Sequence, residues 1–287
     1  MSKKILVTGA SGNVGSELVR QLSAAGHQVR AFVHNEASAK SLPAQNVELA
    51  FGDYAKPETL DAAMRGVDAV YALTPVHEHA TAWMLNIIDA AQRAGVKHVV
   101  KHSGYGAKAN GATEIARGHA AGDEHLRKSG LSYTILQPNS YMQNLLWQAG
   151  SIKSQGAIYL PLGDSKQSVV DVADIAAVAV KALTEPGHDK QTYVLSGPQS
   201  LSLTEQADII GAAIGKPVKY VAVSPAAAEE AMKGNGMPAW NAHTIAEFMG
   251  YVATNAYAAV TGDVKKVLGR EATPFSAVVQ RHLSVFR

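Results

Sequence analysis

Three glycines near the start of the chain, Gly9, Gly12 and Gly15, have the spacing of a phosphate-binding turn. They follow the apolar run KKILVT and open the helical pattern VGSELVRQLSAA. In such a unit the first glycine permits a sharp turn, the second lets backbone approach a pyrophosphate, and the third lets the helix pack on the sheet. The free N–H groups of a helix starting near Asn13 would face the phosphates. The motif therefore predicts dinucleotide binding through Gly9, Ser11, Gly12, Asn13, Val14 and Gly15.

The end of the second apolar run, HQVRAFVHNEASAK, bears on which dinucleotide is bound. A carboxylate there would bind the ribose 2′-hydroxyl of NAD, whereas a basic residue accommodates the 2′-phosphate of NADP. The run ends at His34 and Asn35, with Glu36 one position later and Lys40 further on. We expect NADP(H) to be preferred, with NAD(H) as the alternative. An exposed loop histidine is the competing interpretation of His34.

Two further candidate contacts to the same cofactor follow the third apolar run, at FGDY. Asp53 and Tyr54 would lie there beside an adenine ring, or they are simply loop residues that begin a helix. The sequence leaves both readings open.

The elements around these residues alternate between short apolar runs and helical patterns. KKILVTG, HQVRAFV, NVELAF, DAVYALT, KHVVKHS and SYTILQP are typical of buried strands, because they are continuously apolar rather than alternating. This order predicts an α/β fold, a doubly wound parallel (Rossmann) sheet. We assign residues 1–140, completed by about 166–198, to the dinucleotide-binding domain, and 141–165 with 199–287 to a smaller substrate-binding lobe.

Composition narrows the function classes. The chain has 287 residues, 17% of them charged, a formal net charge of +2 and no cysteine. Thiolate metal sites and disulfides are thereby excluded, and no basic block or long apolar run points to nucleic acid or a membrane. His77 and His79 in HEHAT are two apart, so they diverge on a helix and we expect no metal site. We expect a cytoplasmic protein with a small-molecule substrate, and allow for a homodimer.

TGASGNVG, KHSGYGA, SGLSYTILQPNSYMQNLL and DVADIAAVAVKAL together resemble the NmrA-like branch of the short-chain dehydrogenases and reductases. That branch includes NADPH-dependent quinone, azo and triphenylmethane-dye reductases, and also regulators that bind NAD(P) without turning it over. The resemblance implies that Leu73, Thr74 and Pro75 lie beside the cofactor. It also implies that Pro138, Asn139, Ser140 and Tyr141 flank the nicotinamide. His34 stands where many members have an arginine.

The catalytic pattern departs from that of most short-chain dehydrogenases. They use a tyrosine and a lysine four residues later, with a serine on the preceding strand. Here Ser103 is present, but His119 occupies the lysine-equivalent position and Ile115 the tyrosine position. The usual acid is therefore missing. We expect His119 to orient the nicotinamide ribose, and Ser103 or Tyr105 to hydrogen-bond the acceptor.

Two functions follow from the missing tyrosine. The first is hydride transfer from NADPH to a small quinone, azo, imine or activated carbonyl acceptor, which needs little acid catalysis by the protein. The second is a non-catalytic redox sensor acting through a protein partner. The aromatic segments favour the enzyme, because Tyr141, Met142, Trp147 and Trp240 would suit the walls of a substrate pocket. Core packing is the competing interpretation of these four residues.

Overall fold

The computed structural model describes residues 2–40 and 42–287. The strands are β1 (Lys4–Val7), β2 (Gln28–Val33), β3 (Val47–Phe51), β4 (Ala69–Ala72), β5 (His98–His102), β6 (Tyr133–Pro138), β7 (Ala157–Leu160), β8 (Lys166–Gln167), β9 (Gln191–Leu195), β10 (Leu201–Ser202) and β11 (Lys219–Ala222). The first helices are α1 (Asn13–Ala24), α2 (Glu36–Ala39), α3 (Pro57–Met64), α4 (Ala80–Arg93), α5 (Glu114–Lys128), α6 (Ala149–Gln155) and α7 (Val172–Thr184). The others are α8 (Leu203–Ile214), α9 (Pro225–Gly234), α10 (Ala239–Tyr251), α11 (Asp263–Leu268), α12 (Phe275–Arg281) and α13 (Leu283–Phe286), with a 3₁₀-helix at Met142–Gln148 and a π-helical turn at Val252–Ala256.

The main sheet has seven strands in the order β3-β2-β1-β4-β5-β6-β9. The pairs β2/β3, β1/β2, β1/β4, β4/β5 and β5/β6 are parallel. From β1 the chain winds outward to β3, then returns to β4 on the other side of β1, so the direction of winding reverses between β1 and β4. This topology confirms the predicted doubly wound fold, and in sheets of this kind ligands generally bind at the carboxyl ends of the strands where the winding reverses.

The central strands are buried on both faces, as their continuous apolar sequences predict. Every residue of β4 is buried, and Leu6, Val70, Val99 and Ile135 join one core with the helices that cover that face. The prediction that NVELAF is buried is wrong. It forms β3 at the edge of the sheet, where one side has no neighbouring strand, and the Phe51 side chain there is 50% exposed.

The described chain divides into two compact units. Unit 1 comprises residues 1–110, 116–137 and 172–193, and unit 2 comprises 111–115, 138–171 and 194–287. Unit 2 contains two small sheets, an antiparallel pair of β8 with β10 and a parallel pair of β7 with β11. Within the described residues, we find no helix that combines the length and the apolar character needed to cross a bilayer.

Candidate cofactor-binding and active site

The glycine turn begins two residues after β1. Gly9 has a φ of +63°, in the left-handed region that favours glycine. The Gly12 N–H donates to the Gly9 carbonyl oxygen at 3.0 Å, which closes the turn before α1 starts at Asn13. A Cβ on Gly15 would lie 2.0 Å from the Gly9 oxygen, so only glycine fits where the helix crosses the turn. The sequence spacing thus corresponds to a tightly packed local structure.

The N-terminus of α1 has open backbone donors. Gly12 is the N-cap residue of α1, no side chain accepts a capping hydrogen bond there, and the first turn contains no acidic residue. Its N–H groups therefore remain available to an anion. Ser11, Gly12 and Asn13 are exposed, whereas the Val14 side chain is buried in the core and leaves only its backbone for a ligand. This turn fits the pyrophosphate of a dinucleotide.

Two neighbouring segments hold the turn in place. The Thr8 hydroxyl donates to the Leu73 carbonyl oxygen and accepts from the Leu73 N–H, both at 2.8 Å. A Cβ on Gly9 would lie 2.9 Å from Cγ of Leu73, so the two residues touch. Thr74, which is half-buried, and Pro75, which is exposed, continue this segment after β4. The loop predicted to lie beside the cofactor therefore lies against the glycine turn.

The Tyr54 phenol contacts the same turn. Its oxygen accepts a hydrogen bond from the Gly9 N–H at 2.8 Å, and its ring packs between Phe32 and Trp83 at centroid distances of 5.3 and 5.6 Å. Burial raises the pKa of Tyr54 to about 12, so the phenol stays neutral. Asp53 uses one carboxylate oxygen to accept from the Ala55 N–H at 2.9 Å. A role for these two residues toward adenine stays a prediction.

At the carboxyl end of β2, His34 and Asn35 differ in their surroundings. His34 is exposed. Asn35 is the N-cap of α2, where its side-chain oxygen accepts from the Ser38 N–H at 3.0 Å in a capping box. Since that oxygen is engaged, His34 and the Asn35 amide hydrogens are the groups of this pair that can donate to a ligand.

A buried polar cluster lies at the carboxyl end of β5. Lys101 Nζ donates to Oδ1 of Asp123 at 2.7 Å, and the two side chains are 1% and 2% exposed. Ser103 is also buried, and its hydroxyl donates to Oδ2 of Asp123 at 2.9 Å. Gln137 donates to the same Oδ2 at 3.3 Å. The Ser103 hydroxyl has one hydrogen, so toward other groups its oxygen acts as an acceptor.

His119 packs beside this cluster. A Cβ on Gly104 would lie 2.8 Å from Cδ2 of the His119 ring and 3.1 Å from its Nε2. Burial, with a smaller contribution from the Lys101 charge, lowers the pKa of His119 to about 3. The imidazole is therefore neutral near pH 7, with one nitrogen that donates and one that accepts. Tyr105 follows on the same loop and is half-buried.

A second histidine with a strongly lowered pKa, His102, was not predicted from the sequence. Its Nδ1 lies 2.6 Å from the Tyr71 hydroxyl, and both side chains are buried in the sheet. Burial lowers the pKa of His102 to about 3, with smaller electrostatic contributions from His119 and Lys101. The position of His102 within an apolar strand was the available signal, since a buried polar group requires a partner.

In unit 2, Asn139 has a structural role. Its side-chain amide donates to the Ser168 hydroxyl at 2.8 Å and to the Tyr257 carbonyl oxygen at 3.0 Å. Its side-chain oxygen accepts from the Ser140 N–H at 2.7 Å. Pro138 is buried and Ser140 half-buried. These contacts fix the backbone that follows β6, and the predicted placement of this segment beside nicotinamide stays a prediction.

The four residues predicted to line a substrate pocket differ in exposure. Met142 is buried, Tyr141 and Trp240 are half-buried, and the Trp147 side chain is 69% exposed. Burial raises the pKa of Tyr141 well above its usual range. Their contact with a substrate stays a prediction.

The histidine-rich stretch after β4 forms an aromatic contact. The His77 ring stacks on Trp83 at a centroid distance of 4.3 Å, and His79 meets the same indole edge-on at 6.1 Å. Within residues 2–40 and 42–287, no group of three or more histidine, aspartate or glutamate side chains could hold a metal ion.

Comparisons with known proteins agree with this architecture. A model of the NmrA-like family matches residues 1–277. The NAD(P)H azoreductase of Xenophilus azovorans is 42% identical over 282 residues, which is 98% of this chain and 99% of that protein. An NADPH-dependent quinone oxidoreductase from Escherichia coli, solved with NADPH, is 28% identical with a TM-score of 0.85, covering 97% of this chain and 99% of that one. The Citrobacter sp. triphenylmethane reductase, solved with NADP(H), is 28% identical with a TM-score of 0.85, covering 96% and 99%.

Proposed function

The chain belongs to the NmrA-like family, and on that premise we propose that it is an NAD(P)H-dependent reductase of small organic acceptors. The proposed acceptors are quinones, azo compounds, imines or activated carbonyl compounds, and NADPH is the preferred donor. The relatives named as azo, quinone and triphenylmethane reductases support this class.

The cofactor would be held mainly by backbone. The exposed Gly12 and the uncapped first turn of α1 would bind the pyrophosphate, with Ser11 and Asn13 adding side-chain donors. His34 would face the ribose 2′-phosphate, to which its imidazole could donate a hydrogen bond. Bound NADPH supplies the hydride, and the protein supplies orientation and a water-poor site.

The hydrogen bonds and protonation states of the β5 cluster support this choice of acceptors. Ser103 and His119, the two candidate acids of the cluster, are poor proton donors. The Ser103 hydroxyl already donates its hydrogen bond to Asp123, and His119 is neutral with a pKa of about 3. An unactivated ketone needs an acid to protonate its developing alkoxide, whereas a quinone or azo compound forms a better-stabilised anion that water can protonate. The cluster therefore favours acceptors that require little acid catalysis.

Within this mechanism His119 and Ser103 orient the reactants. The neutral imidazole can donate one hydrogen bond to a ribose or carboxamide oxygen, and the Ser103 oxygen can accept one from an N–H or O–H. Tyr105 would hydrogen-bond the acceptor from the same loop. By resemblance to the family, Pro138, Asn139 and Ser140 would flank the nicotinamide, and Tyr141, Met142, Trp147 and Trp240 would contact the substrate.

The test measures loss of NADPH absorbance with a panel of quinones, azo dyes, cyclic imines and unactivated ketones. We expect saturable turnover of some members of the first three classes, slower turnover with NADH, and no turnover of the ketones. The rate should show no inflection between about pH 5 and pH 8 from His119, because its imidazole is neutral throughout.

Two results would contradict the proposal. Tight NADPH binding without turnover of any acceptor would favour the sensor, and the search would move to protein partners. Reduction of unactivated ketones at rates equal to the quinones would contradict the argument from the missing acid. The homodimer and the cytoplasmic location expected from the sequence stay predictions.

A further inference from the structure

Lys101 is an unusual residue for its position. It is the fourth residue of the central strand β5, and its side chain is 1% exposed. Lysine is rarely buried unless its charge is paired, because removing an ammonium ion from water costs several kcal/mol. Replacing a buried ion pair by apolar residues is often neutral for stability, so the pair needs an explanation other than stability.

The contacts of Lys101 and Asp123 reach both Ser103 and His119. Besides Asp123, Lys101 Nζ donates to the backbone carbonyl oxygen of His119 at 3.3 Å. Asp123 lies one helical turn after His119 and accepts a hydrogen bond from the Ser103 hydroxyl. The pair thus joins the strand end that carries Ser103 to the helix turn that carries His119.

Two glycines make room for this arrangement. A Cβ on Gly122 would lie 2.7 Å from Cε of Lys101 and 3.0 Å from Cγ of Met84. A Cβ on Gly104 would displace the His119 ring in the same way. Both positions lie where β5 and α5 approach each other, so the space is shaped around the lysine and the imidazole.

We infer that Lys101 and Asp123 are positioning residues of the reductase site: together they fix the His119 backbone and hold Ser103 with its oxygen facing the reactants as a hydrogen-bond acceptor. This inference rests on the proposed function, since it assigns the pair to the same site. Lys101 and Asp123 need no contact with substrate or cofactor, because they act through Ser103 and His119.

The charged and titratable groups around the pair show what removing Lys101 would change. His119 on α5 and His102 on β5 are neutral near pH 7, and Arg127 on α5 is a more distant cation. Ser103 and Gln137 complete the hydrogen bonds of Asp123. Lys101 is therefore the cation in direct contact with the Asp123 carboxylate. Without it, the buried Asp123 carboxylate has no cation beside it to hold it against the Ser103 hydroxyl.

The first experiment compares Lys101→Met, Lys101→Met/Asp123→Asn and the control Lys97→Met. Lys97 is a second lysine paired with an aspartate, but its side chain is 81% exposed. We expect kcat of Lys101→Met to fall roughly 10- to 100-fold at pH 7, because misplaced reacting groups lose that much rate. The Lys101→Met/Asp123→Asn variant should be slow as well, and Lys97→Met should match the unmodified protein.

A second variant keeps the inference testable if Lys101→Met does not fold. Lys101→Met/Asp123→Leu replaces the pair by apolar groups, so it leaves no unpaired buried charge. We expect it to fold and bind NADPH within about threefold of the unmodified Kd, while kcat falls roughly tenfold or more. Unchanged kcat and KM in this variant would overturn the inference.

A measurement without turnover separates this inference from the proposed function. Imidazole ¹⁵N NMR, with His119 assigned through His119→Gln, reports the tautomer of that ring. We expect one tautomer in the unmodified protein and exchange between two in Lys101→Met/Asp123→Leu. Identical His119 spectra would contradict the positioning role even if no acceptor is reduced. Absence of turnover in the unmodified protein, with a changed His119 spectrum, would instead contradict the reductase and leave the positioning of His119 intact.

Discussion

The phenolic oxygen of Tyr54 accepts a hydrogen bond from the Gly9 N–H at 2.8 Å, although the two residues are 45 positions apart in the chain. The contact ties the loop after β3 to the first glycine of the turn. It also fixes Gly9, whose carbonyl oxygen accepts from Gly12 and lies under Gly15. The shape of the glycine turn therefore depends on a side chain outside the glycine motif.

Removing this phenolic oxygen should loosen the turn. In Tyr54→Phe the Gly9 N–H loses its acceptor, and we expect the free energy of unfolding to fall by about 1 kcal/mol. The Kd for NADPH should rise roughly three- to tenfold, because a less ordered turn binds the pyrophosphate less well. Calorimetry and urea unfolding measure the two effects. Tyr159→Phe, which removes an exposed phenol bonded to Gln155, is the control. Unchanged cofactor affinity in Tyr54→Phe would contradict the coupling.

Gly12 and Gly15 should respond differently to alanine. Gly12 has φ −82° and ψ 174°, which alanine adopts freely, and its new Cβ would be 3.4 Å from the Gly9 oxygen. We therefore expect Gly12→Ala to change the free energy of unfolding by less than about 1 kcal/mol. Its Kd for NADPH should rise roughly tenfold or more, since the methyl group would occupy the pyrophosphate approach.

Gly15→Ala should instead damage the fold. Its Cβ would lie 2.0 Å from the Gly9 oxygen, so α1 must shift away from the turn. We expect a loss of about 3 kcal/mol of unfolding free energy, the upper range for overpacking. Equal stability of the two alanine variants would contradict this division of roles.

The charge at position 34 should control the choice of cofactor. His34 is exposed at the carboxyl end of β2, so a substitution there leaves the core intact. His34→Asp should lower the NADPH/NADH ratio of kcat/KM at least about tenfold, through repulsion of the 2′-phosphate and binding of the 2′-hydroxyl. His34→Arg should raise the ratio, because a guanidinium group can donate two parallel hydrogen bonds to a phosphate. His34→Asn removes the imidazole without adding a charge, so it distinguishes the effect of losing the imidazole from the effect of the new charge. An unchanged ratio in both charged variants would remove His34 from the site.

Stability should fall in mild acid because two histidines have strongly lowered pKa values in the fold. The pKa of His102 is about 3 in the fold and about 6.5 in the unfolded chain. Between these values the unfolded chain takes up a proton that the folded chain does not, so stability is retained above pH 6.5 and lost as the pH falls. At pH 5 this costs about 2 kcal/mol for His102, and His119 acts in the same direction.

The variant His102→Asn should therefore lose less stability on acidification. We expect the difference in unfolding free energy between about pH 7.5 and pH 5 to shrink by about 2 kcal/mol, as measured by urea unfolding. His79→Asn, at an exposed histidine, should retain the full difference. An equal difference in all three proteins would show that His102 is protonated in the fold.

The sequence alone determined the fold class and the glycine turn, because both depend on local patterns. Continuous apolar runs that alternate with helical spacing predict a parallel sheet, and the spacing of Gly9, Gly12 and Gly15 describes a single turn of chain. The missing tyrosine before His119 was also visible, since it depends on position along one helix. Burial of β3 was predicted wrongly, because an apolar run does not specify whether its strand has one neighbour or two.

The tertiary structure decided which residues share hydrogen bonds and charge. Asp123 lies 22 residues from Lys101 and 20 from Ser103, and no local pattern pairs them. A lysine within the apolar run KHVVKHS was a signal that a buried partner was needed, but not of its identity. The neutral state of His119 is likewise a tertiary property, because it arises from desolvation by surrounding protein and from the Lys101 charge.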